Sequence, residues 1–591
     1  MAALSALGRL LTVPTLSFQF LGLLTAFFLI SGYLIRLALL PRPIPGIPYK
    51  KSCAKKIAGN GFEMLAWKQK HGEMFGYLSQ LALELNAPIF QIFVHPLGKP
   101  WVVIADNRES NDIMARRTSR DFDRSIFLGD LMSSLSPEFH FHMPTGERWK
   151  SHRKLVSDTM SPAFLSVVAG PQMWKSSMKA IELWQTKARL AEGRPFAIIE
   201  DLRKAAYEII WTTTMGFETG VMKAQSDLLS SLPKFEKLPH KDQEIVFPVA
   251  TDPPIFKAGM ALNDTLQDGI QSLVPTLYLF LAYNAVPSLR AARNLRNRMI
   301  ESEIKKAVER FANKTDLEWE DSSNMRRYMK SAMDMVIARE LQYARKEGRT
   351  PEPLSRIIQD ELFSFMLAGN EVYTVILWTL KFLTAHQDVQ TRLREELHVQ
   401  LKQALDTGAT PSSSEIIAAK LPYLDAVMEE SLRCGEITQT NIRTSQRDVV
   451  ILGHHVPKHT EVLMLNNGPG VFLPPLDVDE SLRSETSRGA VEKVGEWESK
   501  GMRNFDPNRW LVSDDQGQIS FNPSAGARHS FGAGPRGCFG RKWAMLEVRI
   551  MVSLIIWKFR LEEIPAALAS FKPKPGLAHR PEMAYVRLNA L

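Results

Sequence analysis

Cysteine is scarce: Cys53, Cys434 and Cys538 are the three in a chain of 591 residues. So few exclude a disulfide scaffold and point to a reducing compartment. Strong charge imbalance is also missing. The net charge of +9 is modest for this length. It fits a dispersed basic surface or a basic docking face for an acidic partner, and it argues against nucleic-acid binding. No internal repeat is visible, which excludes a repeat array. No shift of composition marks a second domain boundary in the body of the chain, so one continuous helical body is compatible with the length.

Charge is absent altogether from Leu10 to Ile35, where Gln19 is the only strongly polar side chain. A run this long spans a bilayer. The rival, a cleavable signal peptide, has a shorter apolar run and an A-x-A site that does not follow here. Arg36, Arg42, Lys50, Lys51, Lys55 and Lys56 follow the span, whereas Arg9 alone precedes it. The bulk of the chain is therefore expected in the cytosol. Pro41-Arg-Pro-Ile-Pro-Gly-Ile-Pro48 reads as a stiff polyproline-like connector.

Phe62 to Asn86 has helical periodicity, and Ala87 to Ala105 reads as two strands. Long apolar-periodic segments dominate as far as Leu432, which predicts a mainly helical body. Asp316 to Asn324 is acidic and reads as a surface loop. Val449–Leu452 and Val456–Leu465 are expected to pair as strands around Gly453-His454.

The chemistry is concentrated in Phe531-Gly-Ala-Gly-Pro-Arg-Gly-Cys-Phe-Gly540, followed by the helix-like run Arg541 to Ile555. A cysteine there meets backbone N–H groups, the positive end of a helix dipole and Arg536, all of which lower a thiol pKa. Gly532, Gly534, Gly537 and Gly540 remove side chains that would keep a large planar group from the sulfur. Such a thiolate is a strong ligand for iron. A lone loop cysteine is usually just a small buried side chain. The glycines also match G-x-G-x-x-G, but no strand leads into them and no βαβ unit surrounds them.

The wider pattern F-x-x-G-x-R-x-C-x-G is filled by Phe531, Gly534, Arg536, Cys538 and Gly540. It resembles the haem-binding loop of the cytochrome P450 family, whose cysteine is the axial iron ligand. Other segments resemble that family in the same order. Trp149 and Arg153 share a helical face. Alone they mark a surface helix; in the family's W-x-x-x-R both bind a haem propionate, and Arg148, Lys150 and Lys154 add charge where the acidic electron donor docks. Glu430 and Arg433 form an ordinary intrahelical pair, yet they match the family's E-x-x-R, which Arg509 of Phe505-Asp-Pro-Asn-Arg-Trp510 would complete as a buried triad. Arg443 matches a propionate-binding arginine. Two places depart from the family: Glu436 and Ile437 stand where prolines are usual, and His459 where glycine follows Pro457-Lys458. Asn467 to Gly501 is longer and more charged than in the family and reads as a surface insertion.

The long apolar helix Leu362–Leu383 is interrupted at Ala368-Gly369-Asn370-Glu371, by close packing beside a surface glutamate or by function. The family's oxygen-binding groove, Ala-Gly-x-acid-Thr, matches at Ala368, Gly369 and Glu371, but Val372 replaces the threonine. Valine has no hydroxyl to relay a proton, and Thr374 lies on another face. Three substitutes are open: a substrate hydroxyl, an ordered water held by Glu371 or Asn370, or a chemistry that needs no such relay; Glu371 is the expected choice for proton delivery. Ile437 to Ile442 should border the substrate pocket, where Gln439, Thr440 and Asn441 suggest an oxygenated substrate.

The resemblance implies a mainly α fold with small β-sheets, the cytochrome P450 fold preceded by one N-terminal transmembrane helix. The expected division is a membrane anchor at 1–40, a proline-rich hinge at 41–50 and a haem-thiolate catalytic domain at 51–591. The implied cofactor is haem b on Cys538, with Trp149, Arg153, Arg443 and Arg536 for the propionates. The implied activity is hydroxylation or other oxidation of a small, largely apolar metabolite, in the manner of fungal secondary metabolism. Electrons would come from an NADPH–cytochrome P450 reductase, at a single-pass anchor in the endoplasmic reticulum membrane. Two alternatives stay open: a reductase-independent isomerase or dehydratase, and a membrane-anchored binding protein without turnover.

Overall fold

The computed structural model describes residues 18–591 except 95–97, 236, 271, 273, 313–327, 492–493 and 577. The start of the apolar run, 10–17, and the acidic loop Asp316–Asn324 lie outside the described residues. Helix α1 (Phe18–Leu39) carries the run beyond Ile35 and over Arg36. Its stretch Leu21–Leu39 is long and apolar enough to cross a membrane, and none of the other described residues buries it. The stretch Arg356–Ala385 is apolar enough too, but protein encloses most of it.

Helices α2 (Gly61–His71) and α3 (Gly76–Leu85) occupy the expected helical segment. Strands β1 (Ile89–Ile92) and β2 (Trp101–Ile104) follow and pair antiparallel. After α4 (Asn107–Ala115), β3 (Phe122–Arg124) and α5 (Glu147–Val156) comes the helical body. It comprises α6 (Gly170–Ala191), α7 (Ile199–Met215), α8 (Pro254–Ile270), α9 (Pro287–Ala312), α10 (Ala332–Glu347), α11 (Arg356–Gly369), α12 (Val372–Ala385), α13 (Pro422–Cys434) and α14 (Arg541–Lys558). Helix α6 packs against α7 and α14, and α12 against α7, α13 and α14. Ile209, Leu377, Leu380, Val552 and Ile555 belong to one hydrophobic core shared by these helices, fully or almost fully buried. Each such side chain contributes about 1.5–3 kcal/mol on burial. A Cβ on Gly369 would fall 2.5 Å from Ile210 Cδ1, so that glycine lets α11 lie close against α7.

The main sheet gathers distant segments in the order β1, β2, β7 (Glu461–Leu465), β4 (Thr440–Ser445), β3. Strand β7 runs parallel to β2 and antiparallel to β4, and β3 pairs antiparallel with β4, setting Arg124 opposite Arg443. The expected single strand Val456–Leu465 is corrected here. Strand β5 (Val449–Ile451) pairs only with β6 (His454–Val456), and β7 begins afresh at Glu461. His459 adopts φ 61° between them, in the left-handed region that breaks a strand and normally favours glycine.

The proline-rich connector is docked on the sheet. Fully buried Gln91 accepts from the Ile44 N–H at 2.8 Å and donates to the Ile44 and Ile47 carbonyls at 2.9 and 2.8 Å. The charged stretch 467–501 is likewise anchored. Arg483 forms two bonds to Asp106, at 2.7 and 2.9 Å, and Ser484 and Thr486 donate to Asp112. Asp106 also caps α4 by accepting from the Glu109 N–H at 2.7 Å.

Replacing Gln91 by alanine strands the Ile44 N–H and the Ile47 carbonyl and leaves the Ile44 carbonyl only the long bond from the Ile47 N–H at 3.4 Å. It should cost on the order of 2–4 kcal/mol and expose residues 41–50 to protease. Thermal unfolding and the rate of cleavage in that segment check both.

Candidate active site

Cys538 lies between a turn of 3-10 helix at Gly534–Arg536 and the start of α14. Its N–H donates to the Phe531 carbonyl at 2.7 Å and closes the loop. Gly534 has φ 67°, and a Cβ there would fall 2.3 Å from the Met114 carbonyl oxygen of α4. Backbone conformation and contact with α4 therefore require this glycine. Gly540 faces open space.

Cys538 is exposed even though dense protein surrounds it, as for a side chain facing an internal cleft. Ala368 is exposed between buried Leu367 and Asn370, and Phe365 of the same helix reaches the Phe539 ring at 6.2 Å. The expected lowering of the thiol pKa is not found. Burial pushes it up, and the Gly540 N–H with Arg153, Arg124 and Arg541 offsets that only in part. A metal cation at the sulfur deprotonates a coordinating thiol outright.

Positive charge crowds this cleft. Arg443 and Arg536 are buried, and burial together with neighbouring guanidiniums lowers each to about 10. Burial and the same two arginines push Arg124 down as well. The Nε atoms of Arg124, Arg443 and Arg536 are buried without a hydrogen-bond partner among the described residues. The carboxylate beside them, Asp123, lies 4.0 Å from Arg536. Arg536 also sits 4.8 Å over the Trp149 ring and donates to the Met143 carbonyl at 2.7 Å. Arg153, one turn from Trp149 on α5, covers the Phe539 ring at 4.1 Å. Buried cations short of counter-charge, around a thiol in a cleft, fit a planar dianionic group with an iron centre. Arg124 is absent from the sequence prediction; only the register of β3 on β4 brings it here.

The interruption in the long helix falls at Asn370 and Glu371, between α11 and α12. Gln267 of α8 donates to Glu371 at 3.0 Å, and Asn263, one turn earlier on the same helix, favours the charged form of its carboxyl. Burial nevertheless pushes the Glu371 carboxyl above its ordinary value. Val372 is buried, and the buried Thr374 hydroxyl has no hydrogen-bond partner among the described residues. Asn370 is buried, and neither amide atom has a hydrogen-bond partner among the described residues; with Asn263 and Arg296 it lines a cavity of about 20 Å³, room for one water.

Glu430 is the hub of a second ionic cluster. Its carboxylate accepts from Arg433 at 2.7 and 2.8 Å, and from Arg509, the Trp510 indole and the Asp506 N–H at 2.9 Å each. The polar wall behaves differently from its reading as a substrate surface. Gln439 donates to Glu73 at 3.1 Å, and Asn441 donates to Asn466 and to the His529 carbonyl. Both amides serve the protein. On the neighbouring face Arg148 pairs with Glu138, and Lys150 with Glu147.

The family model described as "Cytochrome P450" matches residues 59–468 and 503–587, interrupted within the charged stretch. The chain belongs to the cytochrome P450 family, and it is an oxidoreductase of the class that holds haem b through a cysteine thiolate. It is similar to the cytochrome P450 monooxygenase GME11363 of Pestalotiopsis microspora, with 38% identity over 97% of this chain and 98% of that protein. It is also similar to the cytochrome P450 monooxygenase TRI13 of Fusarium sporotrichioides, with 32% identity over 94% and 97%. The crystal structure of the cytochrome P450DA heme domain shares the fold at TM-score 0.62 and 16% identity, covering 93% of this chain and 97% of that one.

Replacing Glu430 by alanine strands Arg433 and Arg509 without their counter-charge. A loss of about 3–5 kcal/mol is expected, read from denaturant unfolding, with haem content falling in parallel.

Proposed function

We propose that the Cys538 thiolate would hold the haem iron, and that Trp149, Arg153, Arg443 and Arg536, joined by Arg124, would bind its propionates. The observation that carries this reading is the set of buried guanidinium nitrogens without partners beside a thiol in a cleft. Bound there, the haem supplies activation of dioxygen for insertion of one oxygen atom into a substrate C–H bond. Phe531 and Gly540 bound the loop that holds the sulfur. Glu430, Arg433 and Arg509 fix α13 to the segment that follows 501, behind the cleft.

Glu371 supplies the proton. It sits at the helix interruption, its carboxyl is held protonated to higher pH than an exposed glutamate, and Gln267 orients it. Val372 fills the place of the usual hydroxyl without replacing it, so a water held by Asn370 completes the path. The substrate is a small, largely apolar metabolite, and the fungal monooxygenases to which the chain is similar support a place in secondary metabolism. Electrons come from an NADPH–cytochrome P450 reductase at the endoplasmic reticulum membrane, where residues 1–40 anchor the body at 51–591 through the hinge at 41–50. Val372 favours one second reading, a haem-thiolate isomerase or dehydratase that needs no reductase.

The deciding measurement is the carbon monoxide difference spectrum of the reduced protein beside Cys538→Ser. A thiolate-type band that the substitution abolishes is expected; a histidine-type band in the unsubstituted protein overturns the assignment. Turnover without NADPH would select the isomerase reading. In a system reconstituted with reductase, Glu371→Gln should lower product formed per NADPH by about 100-fold, with hydrogen peroxide rising. Because the fold raises the Glu371 pKa, proton supply falls as pH rises through that raised value, and the substitution should remove this limb from the pH profile.

A further inference from the structure

We propose that His140 and Glu361 are positioning residues that hold Arg153 in place against the haem propionate. The inference rests on the propionate reading of Arg153 given above.

Glu361 lies on α11, with its carboxylate buried. One oxygen accepts from the His140 backbone N–H at 2.8 Å and from His152 Nδ1 at 3.3 Å; the other accepts from His140 Nδ1 at 2.7 Å. Burial opposes ionisation here, but the bonds from both histidines outweigh it and hold Glu361 below its ordinary value. His140 is buried as well, and burial keeps its imidazole neutral in spite of the carboxylate.

A neutral imidazole that donates through Nδ1 presents a lone pair at Nε2. Arg153 Nη1 lies 3.5 Å from His140 Nε2. The guanidinium is thus gripped from two sides, by His140 Nε2 and by the Phe539 ring at 4.1 Å. Phe539 in turn meets the edge of the His140 ring at 5.6 Å. The rest of the five-donor fork stays available to an anion. Arginine has a long flexible stem whose ordering costs free energy, and this grip fixes it before any ligand arrives. An uncharged imidazole thus links the Glu361 carboxylate to Arg153, and the link ties α11 to the residue following Cys538.

The test uses the full-length holoenzyme and two readouts, the rate of haem transfer to apomyoglobin and the reduction potential. Asparagine at 140 mimics Nδ1, so His140→Asn keeps the Glu361 bond but loses the one to Arg153. Haem loss should quicken about tenfold, toward the rate of Arg153→Ala. Glutamine mimics Nε2 and offers an oxygen to Arg153, so His140→Gln should restore most of the original rate. Glu361→Gln removes a buried negative charge at nearly constant shape and should shift the potential in the positive direction. Equal haem loss in the two His140 variants would mean packing alone and overturn the inference. So would unchanged haem loss and potential in His140→Asn and Glu361→Gln while Arg153→Ala loses haem. If Arg153→Ala itself retains haem normally, the propionate reading fails, and this inference with it.

Discussion

Arginines buried around a thiol with too little negative charge among them are the constraint to which the rest of the structure answers. Taking a guanidinium out of water costs several kcal/mol unless a counter-charge offsets it. Asp123 cannot neutralise Arg124, Arg443 and Arg536 together. The surrounding elements hold these charges together at a cost that a bound dianion removes. The register of β3 on β4 sets Arg124 beside Arg443, and the turn Gly534–Arg536 is seated on α4. A dianion bound at these arginines, as proposed for the haem, would thereby couple its binding to folding of the sheet and of the loop.

The other buried charges show the opposite design. Every strong acceptor of Glu430 is engaged, by two arginines, an indole and a backbone N–H, and the cluster spans segments some 80 residues apart in sequence without facing the cleft. Asp106 plays a comparable part for the stretch 467–501. It caps α4 and receives Arg483, so the stretch steadies the helix against which the cysteine loop rests. A region that reads as loose surface from its charge is fastened close to the chemistry.

Much of the site is legible in the sequence because its residues are local motifs: the loop around Cys538, Trp149 and Arg153 on one helical face, and the interruption at Asn370-Glu371. What escapes is set by tertiary pairing. Arg124 becomes relevant only through strand register, and His140 meets Glu361 across 221 residues. Gln267 reaches Glu371 from another helix. The thiol pKa is misjudged because dipoles and nearby charges can be counted in a sequence whereas burial cannot. Gln439 and Asn441 mislead for a related reason: their polarity is visible in the sequence, but the protein partners that use it are not. The split at His459 follows from a left-handed residue in a place where no glycine announces it.

The docked connector has a consequence for how the enzyme meets its substrate. Gln91 fixes Ile44 to the sheet, so only Leu40 to Ile44 separate the end of α1 from the folded body. Five residues reach at most about 18 Å. A bilayer-embedded α1 would act as a short tether and confine the body to a thin shell above the lipid. For a metabolite dissolved in that lipid, encounter becomes a nearly two-dimensional search at high effective concentration. Apparent KM then depends on how the compound partitions between water and membrane as much as on its affinity for the pocket.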